Sequence, residues 1–174
     1  MTLNEHTSGP SDDIRERVRD TTINDTTLLS TDYCNHLNEV VMLIGMIGLV
    51  GDAKDMLAEA NEWKPITYAE HFESSGLSIG PLAIEAYDIC EARYREAFDT
   101  TLEKFDQRVI SGCSELADVI DGGDTGHITF SANALSMELQ ALIDQLGGII
   151  HGAGTTDVVD DADGLSQDDI DALF

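Results

Sequence analysis

The stretch RYREAFDTTLEKFDQRVISGCSELADVI, residues 93–120, decides the fold class of this chain. Its apolar residues recur at steps of three and four, which places them along one face of an α-helix. That stripe consists of Tyr94, Phe98, Leu102, Phe105, Val109, Cys113, Leu116 and Ile120. A helix with so long an apolar stripe is stable only when other helices cover it. The sequence therefore predicts an all-α protein, an antiparallel helical bundle.

Segments on both sides of this stretch have helical spacing as well. We predict helices over residues 31–50, 52–61, 67–74 and 80–90, and one from Ser131 or Asn133 to about Ile150. Asp52 is expected to cap the second of these helices, and Thr67 with Glu70 to form a capping box at the start of the third. Gly45, Gly48 and Gly51 weaken the first of them, because each glycine costs roughly 1 kcal/mol relative to alanine in a helix. Close packing against another helix is the expected reason for these glycines.

The charge is the most unusual bulk property of the chain. It carries 34 acidic and 9 basic residues among 174, for a net charge of −25. Such a protein repels phosphate backbones, so nucleic acid is not an expected partner. No Lys or Arg follows Arg108. A protein that binds the C-terminal half should therefore present basic groups.

Cysteines, histidines and the N-terminus indicate a cytoplasmic protein without cofactors. Cys34, Cys90 and Cys113 lie far apart in apolar stretches, which is typical of reduced core thiols. The five histidines lack paired ligand spacing, so no metal is predicted. The first 13 residues do not resemble a signal peptide, and the longest apolar run, residues 40–51, is shorter than the ~20 residues that span a bilayer. Membrane insertion is therefore not expected.

The pattern divides the chain into four parts. Residues 1–30 are predicted to be a mostly disordered arm, in which residues 14–20 form a short basic helix. Residues 31–151 form the helical bundle. Residues 152–164, with glycines and aspartates, are a flexible acidic linker. Residues 165–174, LSQDDIDALF, are predicted to form a short helix.

This last segment is amphipathic but too short to fold alone. Ser166 can cap it, and Asp168 and Asp169 lie in its first turn, where the helix dipole favours anions. Isolated helices under about 12 residues are marginal in water, so the segment should fold only against another surface. Its narrow apolar stripe consists of Leu165, Ile170, Leu173 and Phe174.

The sequence GLSQDDIDALF, residues 164–174, closely resembles the N-terminal peptide of the flagellar motor switch protein FliM. That peptide binds the phosphorylated chemotaxis response regulator CheY, and ten consecutive positions fit its pattern. The resemblance covers the tail alone. It implies that Ile170, Leu173 and Phe174 are apolar anchors and that Gln167, Asp168 and Asp171 make polar contacts, within a partner-binding segment that starts at Leu165 and Ser166. An alternative is that the tail folds back onto the bundle or only increases solubility.

Two pairs of residues are candidates for catalysis. Phosphatases that act on CheY use a carboxylate and an amide on one helix face to place the attacking water. The spacing of the CheZ phosphatase, Asp with Gln four residues later, is absent from the bundle, and Glu103 with Gln107 comes nearest to it. Asn35 and Glu39 are also i, i+4 neighbours, in the segment 32–39 where Asp32, His36 and Glu39 project near one face. A structural role at the bundle surface is the favoured interpretation of these residues.

Together these features favour a non-enzymatic adaptor in bacterial chemotaxis or flagellar control. Its tail would bind a CheY-like response regulator, and its body would bind a second, unidentified protein. One alternative is a CheZ-like phosphatase, which shares the plan of bundle, acidic linker and terminal helix. Another is a structural bundle unrelated to signalling. A homodimer is compatible with each of these functions.

Overall fold

The structure, a computed structural model, describes residues 10–153, and within that range it is all-α, as predicted. Seven helices and no β-strand occur among these residues. The helices are α1 (Pro10–Arg17), α2 (Tyr33–Met46), α3 (Ala53–Ala60), α4 (Tyr68–Ser74), α5 (Gly80–Asp88), α6 (Ala92–Gly122) and α7 (Thr125–Ile150).

Helices α6 and α7 form a long antiparallel hairpin at the centre of the fold. Gly123 ends α6 with a φ of 76°, in the left-handed region that glycine adopts most readily. The Asp124 carboxylate then accepts a hydrogen bond from the His127 backbone N–H and starts α7. Because of this cap, α7 begins at Thr125, six residues before the predicted start at Ser131. Every residue of the predicted α6 stripe is buried.

Helix α2 packs antiparallel against α7 through small residues. Ser136 Oγ donates to the Val41 carbonyl at 3.3 Å, and Thr129 Oγ1 donates to the Gly48 carbonyl at 3.1 Å. A Cβ atom at Gly45 would lie 3.0 Å from Ser136 Oγ. The close helix packing expected from the glycines is therefore present at this position.

Helix α2 is shorter than its sequence pattern indicates. It ends at Met46, whereas the periodicity runs on to Val50. Ile47 is extended, with ψ of 126°, and Gly48 has φ of 80°. The chain therefore leaves the helix at two consecutive residues, although Ile47 remains fully buried.

Helices α4 and α5 cover the N-terminal half of α6 through an aromatic cluster. The predicted capping box is present, since Glu70 N–H donates to Thr67 Oγ1 and Thr67 N–H donates to the Glu70 carboxylate. The Tyr68 ring stacks on Tyr87 at 4.5 Å between centroids and meets Phe98 edge-on at 5.8 Å. These contacts join α4, α5 and α6 into one core.

The described part of the predicted N-terminal arm differs from the expectation. A short helix is present near the predicted residues 14–20, but it lies at Pro10–Arg17, and Ile14 and Val18 are buried in the core. The irregular segment that follows also packs inward, with Leu28 and Leu29 fully buried. Several of its backbone hydrogen bonds are internal, such as Asn24 N–H to the Leu29 carbonyl, and Ser30 N–H donates to the Tyr68 hydroxyl of α4 at 2.9 Å. The packed body thus begins before residue 31.

The cysteines have the environment expected of reduced thiols. All three are free, with Cys90 and Cys113 buried and Cys34 half-buried. Burial raises the pKa of the Cys34 thiol to about 11, which keeps it protonated and poorly nucleophilic. Within residues 10–153, no helix has both the length and the apolar character needed to cross a membrane.

Candidate functional site

The predicted partner-binding residues lie outside the described part of the chain. These are Leu165, Ser166, Gln167, Asp168, Ile170, Asp171, Leu173 and Phe174. The structure does describe the point from which this segment departs. Gly152 has φ of 80° and donates its N–H to the Ile149 carbonyl at 2.9 Å, while Ala153 N–H donates to the Gly148 carbonyl at 2.7 Å. This pair of bonds is a Schellman cap, which turns the chain back alongside α7.

A groove opens beside this turn, between the first half of α6 and the last turns of α7. It has a volume of about 550 Å³. Its polar lining includes Arg93 and Lys104 together with one carboxylate, Glu96, and Ala153 forms part of its wall. Arg93 also pairs with Glu91 at 3.1 Å and stacks over the Tyr94 ring. We call this cavity the α6–α7 basic groove.

Asn35 and Glu39 lie on the exposed side of α2, at the mouth of a second cavity. This cavity, of about 340 Å³, also contains Asp32, His36 and His71, so the predicted grouping of Asp32, His36 and Glu39 is present. Glu39 Oε2 is 3.9 Å from His36 Nδ1. No contact between the Asn35 amide and the Glu39 carboxylate holds the two groups together as a catalytic pair.

The two histidines of this cavity have structural contacts. The His36 ring stacks on Trp63 at 5.1 Å, and Trp63 Nε1 donates to the His36 carbonyl at 3.1 Å. The His71 ring meets Tyr33 edge-on, and its Nε2 is buried with no hydrogen-bond partner among the described residues. Burial lowers the pKa of His71, and the neighbouring His36 acts in the same direction. His71 is therefore neutral at pH 7.

Glu103 and Gln107 lie one turn apart on the exposed face of α6. Gln107 Nε2 donates to Glu103 Oε1 at 3.3 Å, so the amide and the carboxylate do share one face. The two side chains hydrogen-bond to each other, and both are exposed to solvent. Glu103 borders a cavity with Tyr87 and Asp99. Asn35 and Glu39 together border another cavity, the one described above. The structure therefore does not bring the two candidate pairs into one site.

Asp106, which the sequence reasoning missed, is the most perturbed carboxyl group in the described part of the chain. Its Oδ1 atom is buried without a hydrogen-bond partner there. Burial raises the pKa of Asp106 to about 6, with a smaller contribution from the nearby Glu103 charge. The available signal was its position four residues after Leu102 on the edge of the apolar stripe.

Large apolar side chains are exposed along the seam between α2 and α7. Phe130 and Met137, two turns apart on α7, have exposed fractions of 73 % and 66 %. Met42 on α2 is 62 % exposed and borders a cavity of about 490 Å³ with Ser136 and Gln140. Single exposed apolar residues are ordinary, but several along one seam are typical of a surface that binds another protein. We call this surface the α2–α7 face.

The chain matches no protein-family model, no curated protein and no solved structure. Among the described residues, no group of three or more His, Cys, Asp or Glu side chains is arranged to hold a metal ion. The candidate sites of this molecule therefore rest on its own residues: the C-terminal segment, the α2–α7 face and the α6–α7 basic groove.

Proposed function

We propose that this protein is a non-enzymatic adaptor of bacterial chemotaxis or flagellar control, whose C-terminal segment binds a CheY-like response regulator. The observation that carries the proposal is the tail sequence LSQDDIDALF, which fits the regulator-binding pattern at ten consecutive positions. In a helix docked into a groove, residues spaced as Ile170, Leu173 and Phe174 would enter the groove together.

The described body supports a tail that is not one of the core helices of the bundle. α7 is closed by its own Schellman cap at Gly152, and its apolar face is covered by α6 and α2. The residues of the α6 stripe are likewise buried. Neither α6 nor α7 therefore needs a further helix to cover its core-facing side.

An adaptor needs a second binding surface, and the α2–α7 face is the best candidate on the body. Its exposed apolar residues, Met42, Phe130 and Met137, are accompanied by the uncharged side chains of Asn133 and Gln140 and by one carboxylate, that of Glu39. In a chain of net charge −25, such a face can approach another protein without strong repulsion. The partner expected there presents an apolar helical or sheet surface.

The proposal is tested by binding of purified CheY-like regulator, with and without phosphorylation, to the full-length protein. We expect the phosphorylated form to bind and Ile170→Ala to weaken binding strongly. Val158→Ala is the matched control, since it truncates an apolar residue of the linker. If neither the phosphorylated nor the unphosphorylated regulator bound, the proposal would be contradicted.

A CheZ-like phosphatase is the second candidate, and the Glu103–Gln107 pair favours it. The two side chains combine a carboxylate and an amide one turn apart on the longest helix, and both are open to solvent. A docked regulator could then receive a positioned water from this pair. Dephosphorylation kinetics separate this function from the adaptor.

A further inference from the structure

Most basic side chains of the described body are engaged by its own carboxylates. Arg17 pairs with Glu85 at 2.8 Å, and Lys54 pairs with Asp121 at 2.8 Å. Arg108 is likewise held between Glu115 and Glu138. Lys104 makes no ion pair with any residue of the described part of the chain, and the same holds for Arg19, Lys64 and Arg95. Lys104 lies in the α6–α7 basic groove, together with Arg93, which already pairs with Glu91.

Ala153, the last described residue, lines this groove. The bond from Ala153 N–H to the Gly148 carbonyl draws the backbone beside the last turns of α7, and both residues line the groove. The next residues of the chain are the acidic linker, with Asp157, Asp160, Asp161 and Asp163. A segment of negative charge therefore starts at the end of a cavity that contains two positive groups.

The distances allow these groups to meet. Ala97 lines the groove together with Ile149, and Lys104 lies seven residues further along α6, about 10 Å at 1.5 Å per residue. The four residues from Ala153 to Asp157 can span up to about 13 Å when extended. Asp157 can therefore reach Lys104. Asp160, Asp161 and Asp163 are connected by a longer piece of chain and can reach it as well.

We propose that the α6–α7 basic groove binds the acidic linker of the same chain, residues 157–163, through Lys104 and Arg93. The bound linker places the terminal segment at the flank of the hairpin and shortens its reach. This inference goes beyond the proposed function, because it concerns the linker and not what the last ten residues bind. As exposed ion pairs are screened by salt, the linker should dissociate from the groove as ionic strength rises.

Zero-length carbodiimide cross-linking of the full-length protein tests this directly, since it joins a lysine amine only to a carboxylate in contact with it. We expect cross-links from Lys104 to Asp157, Asp160 or Asp161, severalfold more abundant than any from Lys64 to the linker and reduced at high salt. Lys64 is an internal control, because it is exposed outside the groove. Equal linker cross-linking of both lysines, or none from Lys104, would overturn the proposal.

Two further experiments identify the segment that binds the α6–α7 basic groove. Cross-linking a mixture of isotope-labelled and unlabelled protein should give no mixed products, and abundant mixed products would assign the groove to a second copy. In nuclear magnetic resonance relaxation, Lys104→Glu should increase the fast motion of the linker amides, whereas Lys64→Glu should not. Equal effects of the two variants would contradict a specific site. Regulator binding by the wild-type tail is measured in a separate experiment. The linker can therefore fail to bind the groove while the tail still binds the regulator, and the two outcomes are distinguishable.

Discussion

The Thr27 hydroxyl donates a hydrogen bond to the carbonyl oxygen of Ile150, with 2.6 Å between the two oxygens. Both residues are fully buried. The bond joins the segment before α2 to the last turn of α7, where backbone carbonyls lack partners within the helix. It therefore anchors the start of the body to the point from which the acidic tail departs.

Replacing Thr27 with valine tests the value of this bond. The substitution keeps the shape of the side chain but leaves the Ile150 carbonyl without its donor, which should cost about 1–3 kcal/mol in the free energy of unfolding. The neighbouring Thr26→Val, at an exposed position, should change it by less than about 0.5 kcal/mol. Urea denaturation measures both, and equal effects would show that the buried hydrogen bond has no special role.

Deleting residues 157–174 should leave the body folded. The core of the described residues is closed by the α6–α7 hairpin, α2 and the N-terminal segment, and linker contacts at an exposed groove are weak. We expect the melting temperature to change by less than about 4 °C, the shift that corresponds to roughly 1 kcal/mol in a chain of this size. A larger loss, or a loss of helical circular dichroism, would make the tail a helix of the bundle.

The buried carboxyl of Asp106 should make stability depend on pH. Its pKa is about 6 in the folded protein and near 3.8 when unfolded, so the folded state binds the proton more tightly. Its stabilising effect is present below the unfolded pKa and is lost as pH rises from about 4 to 6. Asp106→Asn, which cannot ionise, should therefore raise the melting temperature relative to wild type more at pH 7.5 than at pH 4.

Asp118→Asn is the control for this experiment, because Asp118 is an exposed aspartate on the same helix. Its effect on the melting temperature should be similar at both pH values. An Asp106→Asn effect that is the same at pH 4 and pH 7.5 would mean that the Asp106 carboxyl ionises normally in the folded protein.

The adaptor should not accelerate dephosphorylation of the regulator it binds. The Gln107 amide donates to the Glu103 carboxylate, and Asn35 and Glu39 line another cavity without a contact between their side chains, so none of these four groups is held ready to position water. Alanine at any of the four positions should leave the decay rate of the phosphorylated regulator unchanged. An acceleration of ~100-fold or more by wild type, lost in Gln107→Ala, would establish the phosphatase instead.

The helices of this fold could be predicted where periodicity and caps agree. The α6 stripe, the Thr67–Glu70 capping box and the Asp52 cap of α3 are all present in the structure. Boundaries were less predictable where tertiary contacts decide them. Helix α2 stops at Met46, and the chain turns at Gly48, whose carbonyl accepts from Thr129. Gly48 indicates close packing in the sequence, but the sequence does not indicate Thr129 as its partner.

The N-terminal segment shows a different limit of sequence reasoning. Residues 20–30 lack helical or strand periodicity, yet Ile23, Leu28 and Leu29 are buried. Irregular segments gain their burial from long-range contacts, here with Tyr68 and Ile150, which no periodic pattern encodes. The same holds for the α2–α7 face, because its position depends on which sides of two helices remain uncovered after packing.

The central claim is that the C-terminal segment binds a CheY-like regulator through its apolar anchors, and stopped-flow binding at two ionic strengths tests it most directly. Ile170→Ala or Phe174→Ala should cost on the order of 1 to 3 kcal/mol in affinity, chiefly through faster dissociation, since buried anchors carry most of the energy of a docked helix. Replacing Asp157, Asp160 and Asp161 with asparagine should instead slow association and flatten its salt dependence. If the anchor variants leave dissociation unchanged while the linker aspartates control it, the account is contradicted.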